Sequence, residues 1–282
     1  MKIFHDRVAV ITGGASGLGR AMAERFAREG MKLMLADVNA ADLARAESEL
    51  RAAGATVVGV RTDVSKAEDV EALAQRTLEA YGAVHLVVNN AGVSPLGNVW
   101  ENSVTDWQWA LGVNLWGVIH GVRVFTPILL AQETEGHIVN TASVAGLISP
   151  PGMGIYNVTK HAVVALTETL HHDLARKNAR VKCSVLCPAY VPTGIADSER
   201  NRPPDLADPQ REQSEEGRAR AAGLKKAVAS GKLTAADVAQ AVFEAVREER
   251  FYILTHPKIL GAVQARMDDI LRGADPRDPT AL

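Results

Sequence analysis

The chain predicts an α/β fold: a doubly wound parallel sheet of about seven strands with helices covering both faces. Three observations carry that prediction. Apolar strand-like runs alternate with amphipathic helical segments from the first residues onward. The first such run ends in a cluster of glycines that opens directly into a helical segment. The composition, 47% hydrophobic and 23% charged, supplies enough apolar material for a sheet buried on both faces.

In chain order, Val8–Thr12 is a short β-branched run, and Ala15–Glu29 follows with helical periodicity, stopping at Gly30. Lys32–Ala36 is the second strand. Ala41–Ala53, rich in Ala, Leu, Glu and Arg, is the second helix, ending at Gly54. Thr56–Val60, Ala67–Tyr81 and Val84–Val88 continue the alternation as strand, helix and strand. A long helix is expected over Asp106–Ala131, bent or shortened at Pro127. His137–Ala142 is strand five, Tyr156–Lys177 a second long helix and Arg180–Leu186 strand six.

The texture then changes. Asp197–Gln213 is polar and carries Pro203, Pro204 and Pro209, an excursion that reads as a lid over a site, within a span of 193–230, rather than a domain boundary. Thr234 caps a helix to Arg247, Phe251–Leu254 is a last strand, and Lys258–Arg272 is helical. Residues 1–272 thus read as one domain, and 273–282, with Pro276 and Pro279, as a mobile tail.

Charge and composition exclude several functions. A net charge of −2 offers no basic stripe for nucleic acid and no polybasic membrane address. The first residues lack the apolar core of a signal peptide, and no uninterrupted apolar run approaches the roughly 20 residues of a bilayer span, so a cytoplasmic location is expected. Cys183 and Cys187 lie four apart on a strand, about 13 Å from each other, too far for a disulfide. His171 and His172 have no carboxylate or cysteine at ligand spacing, so no metal is expected.

The glycine cluster has the spacing T-G-x-x-x-G-x-G, with Thr12, Gly13, Gly17 and Gly19, and with Ser16 and Leu18 between. Such a loop lets the backbone approach a pyrophosphate closely, and the opening helix offers its free N–H groups and positive dipole end. Asp37, at the end of the second strand, is placed to accept hydrogen bonds from a ribose diol and to repel a 2′-phosphate. No cation flanks it in Val38-Asn39, and Arg20 is the one cation nearby, so NAD is expected over NADP.

Tyr156 and Lys160 stand at i and i+4 on one helix face, and Ser143 lies at the carboxyl end of strand five, where an open α/β sheet binds ligands. A free phenol has a pKa near 10; a neighbouring Lys160 cation, with the positive nicotinamide ring of NAD⁺, is expected to lower it, making Tyr156 an acid/base at neutral pH. Ser143 would hold a substrate oxygen.

With these motifs in order, the chain resembles the short-chain dehydrogenase/reductase family over about Asp6–Leu254, a Rossmann-type fold. The resemblance implies roles for further residues. Asn89-Asn90-Ala91-Gly92 matches the family's N-N-A-G element, which supports the sheet and lines the cofactor site. Asp63 and Val64 match the adenine-side segment, Asn114 the fourth catalytic member that holds a water on the proton path through Lys160, and Thr193 the contact to the nicotinamide carboxamide, with Pro188 and Val191 in the same loop. Ser16 takes a position that is often basic in NADP-preferring relatives. One departure is Pro188-Ala189, where the family usually has Pro-Gly. The resemblance also implies a homotetramer or homodimer paired through the two long helices.

By family position the substrate pocket would be lined by Ser94, Val144, Ala145, Pro150, Met153, Tyr190 and Ile195, a mostly apolar set that fits a hydrophobic, bulky secondary alcohol or ketone. Trp100, Trp107, Trp109 and Trp116 read mainly as core or subunit packing, with a substrate wall as the alternative. Two other readings stay open: an NADP-dependent carbonyl reductase, and a dinucleotide-sensing protein without catalysis. The second has no chemical need for Asn114, Ser143, Tyr156 and Lys160 together.

Overall fold

The computed structural model describes residues 1–207 and 215–281; Pro209 and the end of the polar excursion at Gln213 lie outside the described residues. Strand and helix alternate as β1 Val8–Thr12, α1 Gly17–Ala27, β2 Lys32–Asp37, α2 Ala40–Ala52, β3 Val57–Arg61, α3 Ala67–Tyr81 and β4 Leu86–Asn89. Then come α4 Val104–Leu111, α5 Gly117–Ala131, β5 Gly136–Thr141, α6 Gly154–Arg176 and β6 Val181–Leu186, followed by α7 Glu215–Ala229, α8 Ala235–Glu248, β7 Tyr252–Ile253 and α9 Leu260–Arg272. The strands pair in parallel as β3-β2-β1-β4-β5-β6-β7. The winding reverses between β1 and β4, which opens a crevice at their carboxyl ends.

The pleat sorts the core into two halves. Ala9 and Ile11, Leu33 and Leu35, and Leu86 and Val88 pack with α1, α2 and α8. Val10, Met34, Val87 and Ile138 pack on the other face with α3, α5 and α6. Both faces of each central strand are therefore dry, as parallel strands require. Each fully buried aliphatic contributes about 1.5–3 kcal/mol relative to exposure.

The long helix differs from expectation in an informative way. It begins at Val104 because Ser103 and Asp106 cap it reciprocally. It passes through Pro127 to Ala131, and the irregularity falls instead on a π-turn at Gly112–Trp116. That turn carries Asn114, in keeping with the tendency of π-turns to sit at functional sites. By length and composition Val104–Ala131 is apolar enough to cross a bilayer, although Asp106, Gln108, Asn114, His120 and Arg123 interrupt its apolar run. Here it is a core helix, with Trp109, Phe125 and Leu129 buried in the hydrophobic clusters.

Helix α7 corresponds to no element named from sequence. Its Leu224 and Val228, four apart, turn to the crevice. After α9, Arg277 pairs with Asp269 at 2.8 Å and donates to the Ala265 carbonyl, which folds the chain back so that Thr280 also reaches the crevice. Cys183 and Cys187 are free and buried.

Candidate active site

One cleft of about 780 Å³ runs along the carboxyl ends of the strands. At its first end lies the β1–α1 turn. Gly13 has φ +63°, a left-handed backbone, and a Cβ there would meet Ala91 Cα at 3.0 Å. Gly19 does not line the cleft. A Cβ on it would stand 2.1 Å from the Gly13 carbonyl oxygen, so its glycine lets the helix close against the turn. Thr12 is likewise set back. Its hydroxyl accepts the Asn90 and Ala91 N–H groups at 2.9 and 3.1 Å, and Asn90 Nδ2 donates to the Thr12 carbonyl at 3.0 Å, clamping the β4 loop to β1. Below that loop Asn89 Nδ2 donates to Asn140 Oδ1 at 2.8 Å.

Gly13, Ser16, Gly17, Leu18, Asp37, Asp63, Val64, Asn90, Ala91 and Gly92 all line this end. The Asp37 carboxylate accepts the Ala15 and Asn39 N–H groups at 3.2 and 3.0 Å, tying the turn to β2. Burial raises its pKa, partly opposed by those hydrogen bonds. Asp63 accepts from the Ser65 N–H and hydroxyl at 3.1 and 2.6 Å. Arg20 turns away to Glu24, Glu49 and the Ala46 carbonyl. The cations that do line this end are Arg61 and Lys66, which the sequence reading did not include because Arg61 sits one strand over from Asp37, its register partner.

At the middle of the cleft Ser143, Tyr156 and Lys160 converge. Ser143 ends the extension of β5. Its hydroxyl accepts the Ala145 N–H at 3.2 Å and donates to the Pro188 carbonyl at 3.3 Å. Lys160 is 3% exposed. Its ammonium donates to the Thr141 carbonyl at 2.9 Å and stands 5.5 Å from the Tyr156 ring centroid. Burial brings Lys160 down to about 8. Burial pushes the Tyr156 phenol up to about 12, and the Ser143 hydroxyl opposes that only in part. In the free protein burial is thus the main influence on the phenol, whereas the lowering expected from sequence involves the nicotinamide ring of bound NAD⁺ as well as Lys160.

Asn114 does not reach the cleft. Its side chain is fully buried, accepting the Val93 N–H at 2.8 Å and donating to the Val93 carbonyl at 2.9 Å and to Thr159 Oγ1 at 3.2 Å. It fixes the strand-four loop to the helix that carries Tyr156 and Lys160. Beyond Ser143, the loop residues Pro188, Val191 and Thr193 also line the cleft, with Thr193 packed against Gly17.

The far end contains all seven residues assigned to a substrate pocket from sequence. It is completed by residues from the span expected to be a lid, Ser198, 200–204, Leu206, Leu224 and Val228, and by residues that sequence reasoning missed: Gln108 and Val113 near the π-turn, Ile259 and Thr280. Trp109 is buried there and lines the wall, whereas Trp100 and Trp116 are exposed. The wall is held by a buried ion pair, Arg202 to Asp106 at 2.7 Å, with the guanidinium 5.1 Å from the Trp109 ring centroid. The apolar i,i+4 pair of α7 was the one signal that could have announced that helix.

A glycine turn opening into a helix, a buried carboxylate at the end of β2, and a serine, phenol and ammonium meeting between them fit a dinucleotide with its reactive ring at the middle of the cleft. The sequence model described as short chain dehydrogenase matches residues 7–204. The crystal structure of a short-chain dehydrogenase/reductase from Burkholderia phymatum in complex with NAD is 58% identical, covers 99% of each chain, and superposes with a TM-score of 0.97. The CLA biosynthesis dehydrogenase/reductase of Lactiplantibacillus plantarum is 35% identical over 98% of this chain and 97% of its own. The 1-deoxy-11-beta-hydroxypentalenate dehydrogenase of Streptomyces exfoliatus is 35% identical over 94% of this chain and 89% of its own. The matched span holds the glycine turn, Asp37, Asn114, Ser143, Tyr156, Lys160 and Thr193, and the likeness continues through both termini: the chain belongs to the short-chain dehydrogenase family.

Proposed function

We propose that this oxidoreductase transfers a hydride between NAD(H) and a hydrophobic, bulky secondary alcohol or its ketone. The observation that carries the reading is the convergence of Ser143, Tyr156 and Lys160 midway between a carboxylate-bearing end and an apolar end of one cleft. Bound NAD supplies the hydride acceptor and a further positive charge beside the phenol.

The chain's own residues handle the proton and the oxygen. A phenol near 12 is protonated at neutral pH and ready to donate to a ketone oxygen. For oxidation it must lose that proton, so activity in that direction rises with pH up to the phenol's own pKa, which positive charge in the site brings down. Lys160 uses one of its three protons on Thr141, which leaves two for ribose hydroxyls. The Ser143 bond to Pro188 is long at 3.3 Å, so its proton is cheaply redirected to a substrate oxygen. Asn114, through Val93, sets the loop against which the phenol works, and in this reading also serves the proton path through Lys160. The span 193–230 acts as the lid. Val144, Ile148, Pro150, Met153 and Ile195 make an apolar pocket. Arg202 is neutralised by Asp106 and does not select for an acid.

NAD is favoured by Asp37 and supported by the NAD complex of the Burkholderia relative. The second reading, NADP, rests on Arg61 and Lys66 at the same end. The exposed Trp116 and Val158 on the two long helices support pairing with further copies of the chain.

The test is absorbance of reduced nicotinamide with a panel of secondary alcohols, first with NAD⁺ and then with NADP⁺. Turnover is expected with NAD⁺ and bulky alcohols, falling about 10²- to 10⁴-fold in Tyr156→Phe with NADH binding retained. Turnover with NADP⁺ alone would overturn the reading of Asp37, and equal turnover of a compact polar hydroxy acid would overturn the substrate class.

A further inference from the structure

We infer that His256, just beyond β7, is a positioning residue that fixes the Pro188–Ala189 peptide and, through the bond of its carbonyl with the Val144 N–H, the backbone from which Ser143 presents its hydroxyl. The inference rests on the reading of Ser143 given above. Three bonds meet on one peptide unit. Its carbonyl, on Pro188, accepts the Ser143 hydroxyl at 3.3 Å and the Val144 N–H at 3.0 Å. Its N–H, on Ala189, donates to His256 Nδ1 at 3.1 Å. The peptide is planar and rigid, so whatever holds its N–H also aims its carbonyl.

The fold delivers His256 to this point through strand pairing. The Cys187 N–H donates to the Ile253 carbonyl at 3.0 Å, and three residues further along β7's exit the imidazole faces the loop. The Thr255 hydroxyl also meets Nδ1, at 2.9 Å. An Nδ1 that accepts from Ala189 leaves the ring proton on Nε2, so the bond needs a neutral imidazole. Burial favours that form. Nε2 is itself buried without a hydrogen-bond partner, a cost accepted on the far side of the ring while Nδ1 serves the loop.

The loop conformation is compatible with the alanine that stands where the family usually has glycine. Ala189 is not among the residues with a left-handed backbone, so no glycine is required, and its N–H is committed to His256. A histidine that only filled space would not need Nδ1 turned toward that N–H.

The experiment compares His256→Ala with His256→Asn in the full chain. Asparagine can place a carbonyl oxygen near the position of Nδ1, whereas alanine removes the acceptor. Two readouts are taken. Hydrogen exchange of the Ala189 amide is expected to quicken at least about tenfold in H256A and to return to within about threefold in H256N. Turnover of a secondary alcohol with NAD⁺ is expected to lose about tenfold in kcat in H256A, with the KM for NAD⁺ within about twofold, and to recover in H256N. Equal losses in both variants would make His256 a packing residue and overturn the inference, as would unchanged exchange and kcat in H256A. Should H256A not fold, H256Q replaces it, since glutamine fills the space but carries its amide to the Nε2 position. If the unaltered enzyme turns over no alcohol, the functional reading fails, while the exchange comparison still decides whether His256 holds the loop.

Discussion

The two ends of the cleft are held together by different kinds of contact. At the dinucleotide end the bonds run to backbone groups: Asp37 accepts the Asn39 and Ala15 N–H groups, and Thr12 those of Asn90 and Ala91. At the substrate end most join side chains of distant segments to one another. The Ser94 N–H donates to the Ser198 hydroxyl across 104 positions, Asp106 meets Arg202 across 96, and Asn98 meets Arg220 across 122. A site held by backbone groups has its geometry set by backbone sterics. A site assembled from distant segments depends on pairwise chemistry that either partner can alter, which leaves its shape free to vary while the first end stays fixed.

The largest effect is expected where sterics rule. Gly19→Ala places a methyl 2.1 Å from the Gly13 carbonyl, a backbone atom that cannot swing away, so turn and helix must separate. NADH binding, followed by its fluorescence, is expected to weaken more than 100-fold, roughly 3 kcal/mol or more, with the sheet still folded. Retained affinity would break the idea that this end is fixed by backbone contact.

The same distinction explains what was legible in the sequence. The strands, most helices, the glycine turn, Asp37, and the Tyr156–Lys160 pair all announce themselves through local period or spacing. Ser143 follows because a strand end fixes where a side chain points. Thr12, Gly19 and Asn114 were legible as important but not in their placement, since each stands behind the cleft and acts on a neighbour. The π-turn was not legible, because a single i→i+5 step leaves the hydrophobic period almost unchanged. Arg61, Ile259 and Thr280 reach the cleft only through tertiary packing. Helix α7 is mostly alanine, glycine and charged residues, and its one pair of larger apolar side chains is too brief to set a period.

The substrate end offers an effect of intermediate size. Arg202 and Asp106 are 7% and 1% exposed, and removing one partner of a buried pair costs about 3–5 kcal/mol because the other charge stays buried. Arg202→Leu is therefore expected to raise the KM for a bulky alcohol about tenfold or more and to lower the thermal midpoint, with NADH affinity unchanged. Adding Asp106→Asn removes the stranded charge and keeps an acceptor for the Ser103 N–H, so it should recover much of the stability. A change in NADH affinity as large as that in KM would show that the two ends are not separable.

The smallest effect falls on the same wall at its surface. Lys225 meets Asp197 at 2.6 Å, a shorter distance than the buried pair, yet the side chains are 59% and 57% exposed. Distance alone would rank this contact first. Solvent reverses the order, since both charges are well hydrated before they meet and ordering a lysine side chain offsets most of the gain, leaving about 0–1 kcal/mol. Lys225→Met is expected to change stability by less than about 0.5 kcal/mol and KM by less than about twofold, measured beside Arg202→Leu in one preparation. If instead the two variants raised KM alike, the wall would be held by the sum of its charges, and burial would lose its place as the reason Arg202 governs the substrate end.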